Sequence, residues 1–386
     1  MPDRPTRILI VDDSAVMRSL LRSVVSSGAG LEVAGTAADG ETALRAVDEV
    51  RPDLILLDVE MPVMNGLVTL RKLRARGSKM PVIMCSSLTQ RGARVTIEAL
   101  AGGASDYVAK PTGQSSREAS MAALSQDLIP KIHALTQGQR TASGFAPGPA
   151  AGTRAPLFMP AAQAFRPQAL SATPTALVIG VSTGGPAALD VLLPALPLSF
   201  PLPVMIVQHM PELFTRLLAE RLNGRCPLRV REASEGDPVC AGAIYIARGN
   251  WHLEVLAGAR ASQPPTLHLT QGPLENHCRP AVDALFRTAA AVYGQGVLAV
   301  VLTGMGSDGM AGARIVRQQG GSVLAQDQQS SAVWGMPGSV VNAGLAQKVL
   351  PLHAMAAEIL RAANRTTSPA SSPTNSEARE LREAVR

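Results

Sequence analysis

Four short aliphatic runs between residues 6 and 110 each end on polar residues. TRILIV runs into Asp12-Asp13, LILL into Asp58, VIMC into Ser86-Ser87, and DYVA into Lys110-Pro111. Runs this short have the length of buried strands, and the stretches between them (SAVMRSLLRSVVSS, GETALRAVDEV) carry helical periodicity. Strands that alternate with helices predict a parallel sheet with right-handed crossovers. The polar residues at the carboxyl ends of those strands then gather along one edge, where such sheets place their sites. The pattern resumes with TALVIGV and continues to about residue 364.

The chain therefore reads as α/β throughout: an N-terminal (βα)5 domain and a C-terminal parallel-sheet domain. Residues 137–175 are rich in Ala, Pro, Gly and Ser without a sustained period, which reads as a linker. Phe158 or Phe165 could dock a segment of it. The expected division is 1–125, a flexible linker 126–175, 176–365, and a disordered tail 366–386. No fixed-period repeat interrupts this order.

Composition narrows the function classes. Hydrophobic residues make up 46% and charged residues 17%, enough apolar material for two cores and too much for a disordered chain. Aromatics are only 3%, so the cores must be aliphatic. Cys85, Cys226, Cys240 and Cys278 form no CxxC pair and no metal-ligand spacing, which argues against a zinc or disulfide scaffold and for a reducing compartment. The net charge of +6 is diffuse: residues 126–175 hold 4 basic and 1 acidic residues, half of the excess. Without a basic stripe or stacking aromatics, no nucleic-acid partner is expected. Residues 191–208 and 288–307 are uncharged but broken by prolines and glycines respectively, so no membrane insertion is expected. The opening residues lack a signal-peptide pattern, and a cytoplasmic location is expected.

Asp12, Asp13 and Asp58 would crowd at adjacent strand ends. Carboxylates this close repel unless a hard divalent cation such as Mg²⁺ binds them. One of them could then attack a phosphoryl group and form an aspartyl phosphate, with Ser86 and Lys110 contacting its oxygens. Each alone could be an ordinary strand-end residue; their joint order is specific. With ILIVDDS, LILLDVEMPVMNG, VIMCSS and GASDYVAKP, residues 6–125 resemble a response-regulator receiver domain. The resemblance implies that Asp58 is the phospho-acceptor and that Asp12 and Asp13 hold Mg²⁺. It makes Ser86 and Tyr107 the switch pair and gives Lys110 to the phosphate.

The second domain opens on TALVIGVSTGGPAALDVL, which reads strand, sharp turn, helix. Gly180 to Gly184 match G-x-S-x-G around Ser182, a turn that exposes a serine hydroxyl; a phosphate-binding turn is the competing reading. His209 follows the strand PVMIVQ, which would bring it beside Ser182 if the two strands pair in parallel. His277, in ENHCRPAVDALF, competes as the base, while His252 and His268 fall in strands or hairpins. Asp308, in GVLAVVLTGMGSDGMAG, could orient a histidine or simply cap a helix. The Gly-rich turn it sits in could present N–H groups to an oxyanion.

The order Ser182, His209, Asp308 differs from that of ordinary α/β-hydrolases. It agrees with another family. GVSTGG, VQHMPELFTRLLAERLN, HCRPAVDALF and VLTGMGSDGMAG resemble the chemotaxis methylesterase CheB over residues 176–364, and receiver, linker and esterase come in that family's order. The resemblance implies a phosphorylation-regulated protein-glutamate methylesterase and glutaminase acting on chemoreceptor helices. A chemotaxis histidine kinase would be its phosphodonor. Ser182 would be the nucleophile, His209 the base and Asp308 its orienting acid. Thr183 and the Met305 N–H would stabilise the oxyanion, and the esterase step would need no metal. It also implies a receiver that packs over the Ser182 edge until Asp58 is phosphorylated. Cys278 departs from the family pattern and bears on the shape of the substrate groove. A receiver-linked binding module and a small-molecule carboxylesterase are the readings set against this one.

Overall fold

The computed structural model describes residues 4–364 apart from 88, 112–115, 143–169, 171 and 261. Most of the expected linker, Phe158 and Phe165 among it, and the tail lie outside the described residues.

The N-terminal domain contains five strands, β1 (Thr6–Val11), β2 (Leu31–Ala37), β3 (Leu54–Asp58), β4 (Val82–Ser86) and β5 (Asp106–Ala109). Helices α1 (Ala15–Ser27), α2 (Gly40–Val50), α3 (Gly66–Ala75), α4 (Gln90–Ala101) and α5 (Arg117–Ala142) alternate with them. The sheet is wholly parallel in the order β2-β1-β3-β4-β5. Helices cover both faces, so β3 and β4 are buried along their whole length and read as continuous aliphatic runs rather than alternating ones. Ser14, Asp39, Asn65 and Thr89 each accept a backbone N–H at a helix start, fixing where α1 to α4 begin. Each such cap is worth about 1 kcal/mol.

Helix α5 carries this domain past residue 125. Leu128, Ile132 and Leu135 pack into the core beneath β1 and β3, so the expected linker start at 126 falls inside a packed helix. Pro130 in the middle of the helix and the composition beyond it obscure that continuity in the sequence.

The C-terminal domain is built on a seven-stranded parallel sheet. Its strands are β6 (Ala176–Val181), β7 (Val204–Gln208), β8 (Arg229–Glu232), β9 (Ala243–Ile246), β12 (Val297–Val301), β13 (Ser322–Gln326) and β14 (Lys348–Leu350). They are arranged β14-β13-β12-β6-β7-β9-β8. An antiparallel pair, β10 (His252–Leu256) and β11 (Thr266–Thr270), stands apart. The helices are α6 (Gly185–Leu192), α7 (Glu212–Asn223), α8 (Val282–Tyr293), α9 (Met310–Gln318), α10 (Met336–Asn342) and α11 (Leu352–Ala363). Strand β6 comes first in the chain but lies in the middle, between β7 and β12. The order reverses there, which opens a crevice at the carboxyl ends of the three strands.

The two domains meet through α4, which lies against α6 and α7. Tyr107 on β5 stacks on Phe214 of α7, with ring centroids 4.5 Å apart and planes 18° from parallel. No helix among the described residues is long and apolar enough to cross a membrane.

Candidate active site

The three central strand ends gather Ser182, His209 and Asp308 at one sheet edge, with Ser182 and His209 on the wall of a cleft and Asp308 buried behind His209. Ser182 follows β6, His209 follows β7, and the turn after β12 supplies Asp308. The Ser182 turn is tied on both sides: its N–H donates to Thr303 O at 3.0 Å, and Gln208 Nε2 donates to its carbonyl at 3.0 Å. Gly184, at φ 78°, turns the chain into α6. Gly304 allows the β12 turn to pass close by, because a Cβ there would sit 2.8 Å from that of Ser182.

His209 Nε2 lies 2.8 Å from Asp308 Oδ2. The other ring nitrogen, Nδ1, is 3.7 Å from Cys278 Sγ. Burial alone would lower the imidazole pKa; the hydrogen bond to Asp308 and the contact with Cys278 outweigh it and raise the value to about 9. Asp308 is buried, which favours its neutral form, but His209 and the N–H groups of Val282 and Asp283 more than compensate and hold it below the usual carboxylate range. Gly309 N and Asn276 Nδ2 also donate to it. Of the other histidines, His252 is buried and bonded to Pro273 O and Ala281 N, and His268 pairs with Glu235. His277 is exposed in a tight turn, and its ring makes no hydrogen bond among the described residues.

The cleft encloses about 790 Å³, with Ser182, Thr183, His209 and Met305 on one side and Asp106 and Lys131 of the N-terminal domain on the other. Met305 is 38% exposed there. Thr183 is buried, and its hydroxyl donates to Asp106 Oδ2 at 2.6 Å across the domain junction. Lys131, half-buried, lies 3.9 Å from Asp106 and donates to Tyr107 O at 2.7 Å. Asp106, Lys131, Gln208 and Asn276 are absent from the sequence expectations. Asp106 and Thr183 stand 77 residues apart, and only the docking of one domain on the other pairs them.

At the N-terminal edge, carboxylate oxygens of Asp12, Asp13 and Asp58 lie within 4.8 Å of one another. Lys110 Nζ is 2.7 Å from Asp58 Oδ1 and 2.8 Å from Asp12 Oδ2. Lys110 is the only cation beside this buried Asp12 oxygen among the described residues. Burial raises Asp58 to about 6, with Asp12 adding to the effect and Lys110 opposing it. Three crowded carboxylates that share one ammonium suit a hard cation. Ser86 Oγ accepts from Thr96 of α4 at 2.7 Å.

Comparison with known proteins decides the family. Residues 8–121 match the response regulator receiver domain, and residues 177–359 match the CheB methylesterase domain. A protein-glutamate methylesterase/protein-glutamine glutaminase of Nocardioides sp. is 49% identical over 92% of this chain and 94% of its own. The chain belongs to the CheB methylesterase family. A Trichodesmium erythraeum protein of the same name is 45% identical, covering 92% of this chain and 98% of its own. The Thermotoga maritima CheB methylesterase catalytic domain is 42% identical, covering 49% of this chain and 99% of that one, with a TM-score of 0.47. As a family member the chain is a receiver-linked ester hydrolase, with a five-stranded receiver ahead of a parallel-sheet catalytic domain.

Proposed function

We propose that this enzyme removes methyl groups from glutamate methyl esters on chemoreceptor cytoplasmic helices, and converts receptor Gln to Glu, under control of its receiver. The names of its relatives supply the substrate class. The observation that carries the reading is the His209–Asp308 pair at 2.8 Å, one strand end away from Ser182.

Ser182 Oγ attacks the side-chain carbonyl carbon. His209, whose Nε2–H is committed to Asp308, takes the serine proton on Nδ1 and returns it to the leaving methoxide, releasing methanol. From a Gln substrate the same proton goes to departing ammonia. Water then attacks the acyl-enzyme, with His209 again as base, and frees Ser182. Thr183 and the Met305 N–H would steady the oxyanion of both tetrahedral intermediates.

Regulation follows from the junction. Thr183 cannot give its hydroxyl to Asp106 and to an oxyanion at once, and the receiver wall excludes a helix from the cleft. This closed arrangement is the resting one. Asp12, Asp13 and Asp58 would hold Mg²⁺, which would supply positive charge to an incoming phosphoryl group. Asp58 accepts that group from a chemotaxis histidine kinase, and Lys110 leaves Asp12 to follow the phosphate. Ser86 reaches α4 through Thr96, and Tyr107 sits in the junction itself, so movement of either loosens the contact. The setting is the cytoplasm, where receptor signalling helices lie.

Mass spectrometry of a methylated receptor fragment, before and after incubation with enzyme and a small phosphodonor, tests the substrate. Loss of methyl groups from glutamate is expected. An untouched fragment alongside hydrolysis of simple esters would make the protein a small-molecule carboxylesterase instead.

A further inference from the structure

Behind the His209–Asp308 pair lies a second buried carboxylate, Asp283, only 5% exposed. Its Oδ1 accepts from Gly312 N, and its Oδ2 from Asn276 Nδ2 at 2.8 Å. The same amide nitrogen donates to Asp308 Oδ1 at 2.9 Å. Its two partners are carboxylates, so this end of the side chain must be the NH₂, and both of its protons are in use. Asn276 bridges two carboxylates that would otherwise repel each other.

The local chain is shaped for this. Glu275 and Cys278 exchange backbone hydrogen bonds around Asn276 and His277, at φ 51° and 62°. Two consecutive left-handed residues make a tight hairpin turn, and Asn tolerates that conformation better than most side chains. The turn delivers Asn276 to Asp308 and Cys278 to His209. Asn276 itself is an exposed residue on the cleft wall, where side-chain amides ordinarily bond to water.

We propose that Asn276 is a positioning residue for catalysis: its amide holds Asp308 against His209 and ties it to Asp283 behind the pair. This rests on His209 and Asp308 being the base and its orienting acid. The charged and titratable groups facing His209 are Asp308, Cys278, His277 and Arg279 from its own domain. Across the cleft stand Asp106, Asp127 and Lys131 of the receiver. Among the described residues the Asn276 amide bonds only Asp308 and Asp283, so its effect passes through them.

The test is Asn276→Gly in the full chain, which removes the amide and keeps the left-handed turn free of strain. It is assayed with methylated receptor fragment and a small phosphodonor. A hydrogen bond to a charged group is worth roughly 10- to 150-fold, so kcat should fall within that range with KM unchanged. Without the bridge the carboxylate pair takes up a proton more readily. Negative charge behind His209 then drops, and the rising limb of the pH–rate profile moves to lower pH. Asn276→Asp keeps the shape and turn preference but offers an acceptor, and should also lose activity. Three results would overturn the proposal: wild-type kcat in Asn276→Asp, a rise in KM with kcat intact, or a loss in Asn276→Gly without a moved limb. Ser182→Ala run beside them separates the premise, since an active Ser182→Ala would remove the serine mechanism whatever Asn276 does.

Discussion

The two domains place carboxylates at the same point of the same kind of sheet and treat them in opposite ways. At the receiver edge, Asp12 and Asp58 share a single ammonium, Lys110, with the Ser14 N–H on Asp12 besides, and burial carries Asp58 up to about 6. At the catalytic edge, Asp308 is as buried but accepts from His209, Asn276 and three backbone N–H groups, and is held below its usual range. What separates them is donors fixed in place. A carboxylate short of directed donors has a lone pair to give, to a cation or to a phosphoryl group. A saturated one keeps its charge permanently and suits an orienting role. Parallel α/β topology supplies the edge, and the turn residues decide which chemistry it hosts.

The sharpest break between the two edges is Ser182→Ala. Only the catalytic edge should lose function, with methanol release down on the order of 10⁴-fold or more. Retention of about a tenth of the wild-type rate would remove Ser182 as nucleophile. Asp308→Asn comes next and should cost less, because the serine and the oxyanion donors remain. It also tests the donor argument through pH. His209 must be neutral to act, so the wild-type rate should climb with pH toward about 9. Asp308→Asn removes the partner that raises the imidazole, and the limb should move down toward the ordinary histidine value of about 6.5. Because the folded value lies above the unfolded one, this pair stabilises the fold fully below about pH 6.5. That contribution is lost as pH rises through about 9. The gap in thermal unfolding between wild type and Asp308→Asn should narrow at high pH, leaving the part due to the four N–H donors to Asp308; a constant gap would contradict the assignment.

The receiver edge is tested through the junction. Asp58→Asn should leave basal methanol release intact and abolish its rise with a phosphodonor, a rise of roughly 5- to 150-fold for a coupling of about 1–3 kcal/mol. Asp106→Ala should do the reverse and raise basal release within that range, since Thr183 regains its hydroxyl. Unchanged basal release in Asp106→Ala would reduce the contact to packing.

Much of this was legible in the sequence because strand-end positions announce themselves. An aliphatic run closing on Asp12-Asp13, Asp58, Ser182 or His209 places the residue on an edge without knowledge of the rest of the fold. Whether β6 and β7 pair was left as a condition by the sequence, and their parallel register meets it. What stayed hidden depends on the packing of one part against another. Asn276 sits in a motif that drew attention to His277, and its role appears only when α8 brings Asp283 beside Asp308. Asp106 reads as the polar start of a strand until the receiver docks. The receiver boundary was hidden because Pro130 and a small-residue composition mask a helix whose apolar face is nevertheless buried.

The smallest expected effect asks whether Tyr107 is a spring or a wedge. Its ring is buried and stacked on Phe214, so it contributes to the closed arrangement whatever it does in signalling. An aromatic pair is worth about 0.5–1.5 kcal/mol beyond its burial. Phe214→Leu keeps an apolar residue on α7, removes the stacking and leaves part of the buried ring's volume empty. If closure is a two-state balance, basal methanol release should rise by the equivalent factor, about 2- to 12-fold, with the phosphodonor-stimulated ceiling unchanged. Phe214→Leu and Asp106→Ala act on contacts made by adjacent residues, with Tyr107 N donating to Asp106 Oδ1 at 2.8 Å, so some coupling between them is expected in the logarithm. A sum far short of additive would mean that one contact forms only when the other has, and the junction would then behave as a single latch. If basal release instead fell, the stack would be holding α7, and with it the turn that carries His209, in its working place.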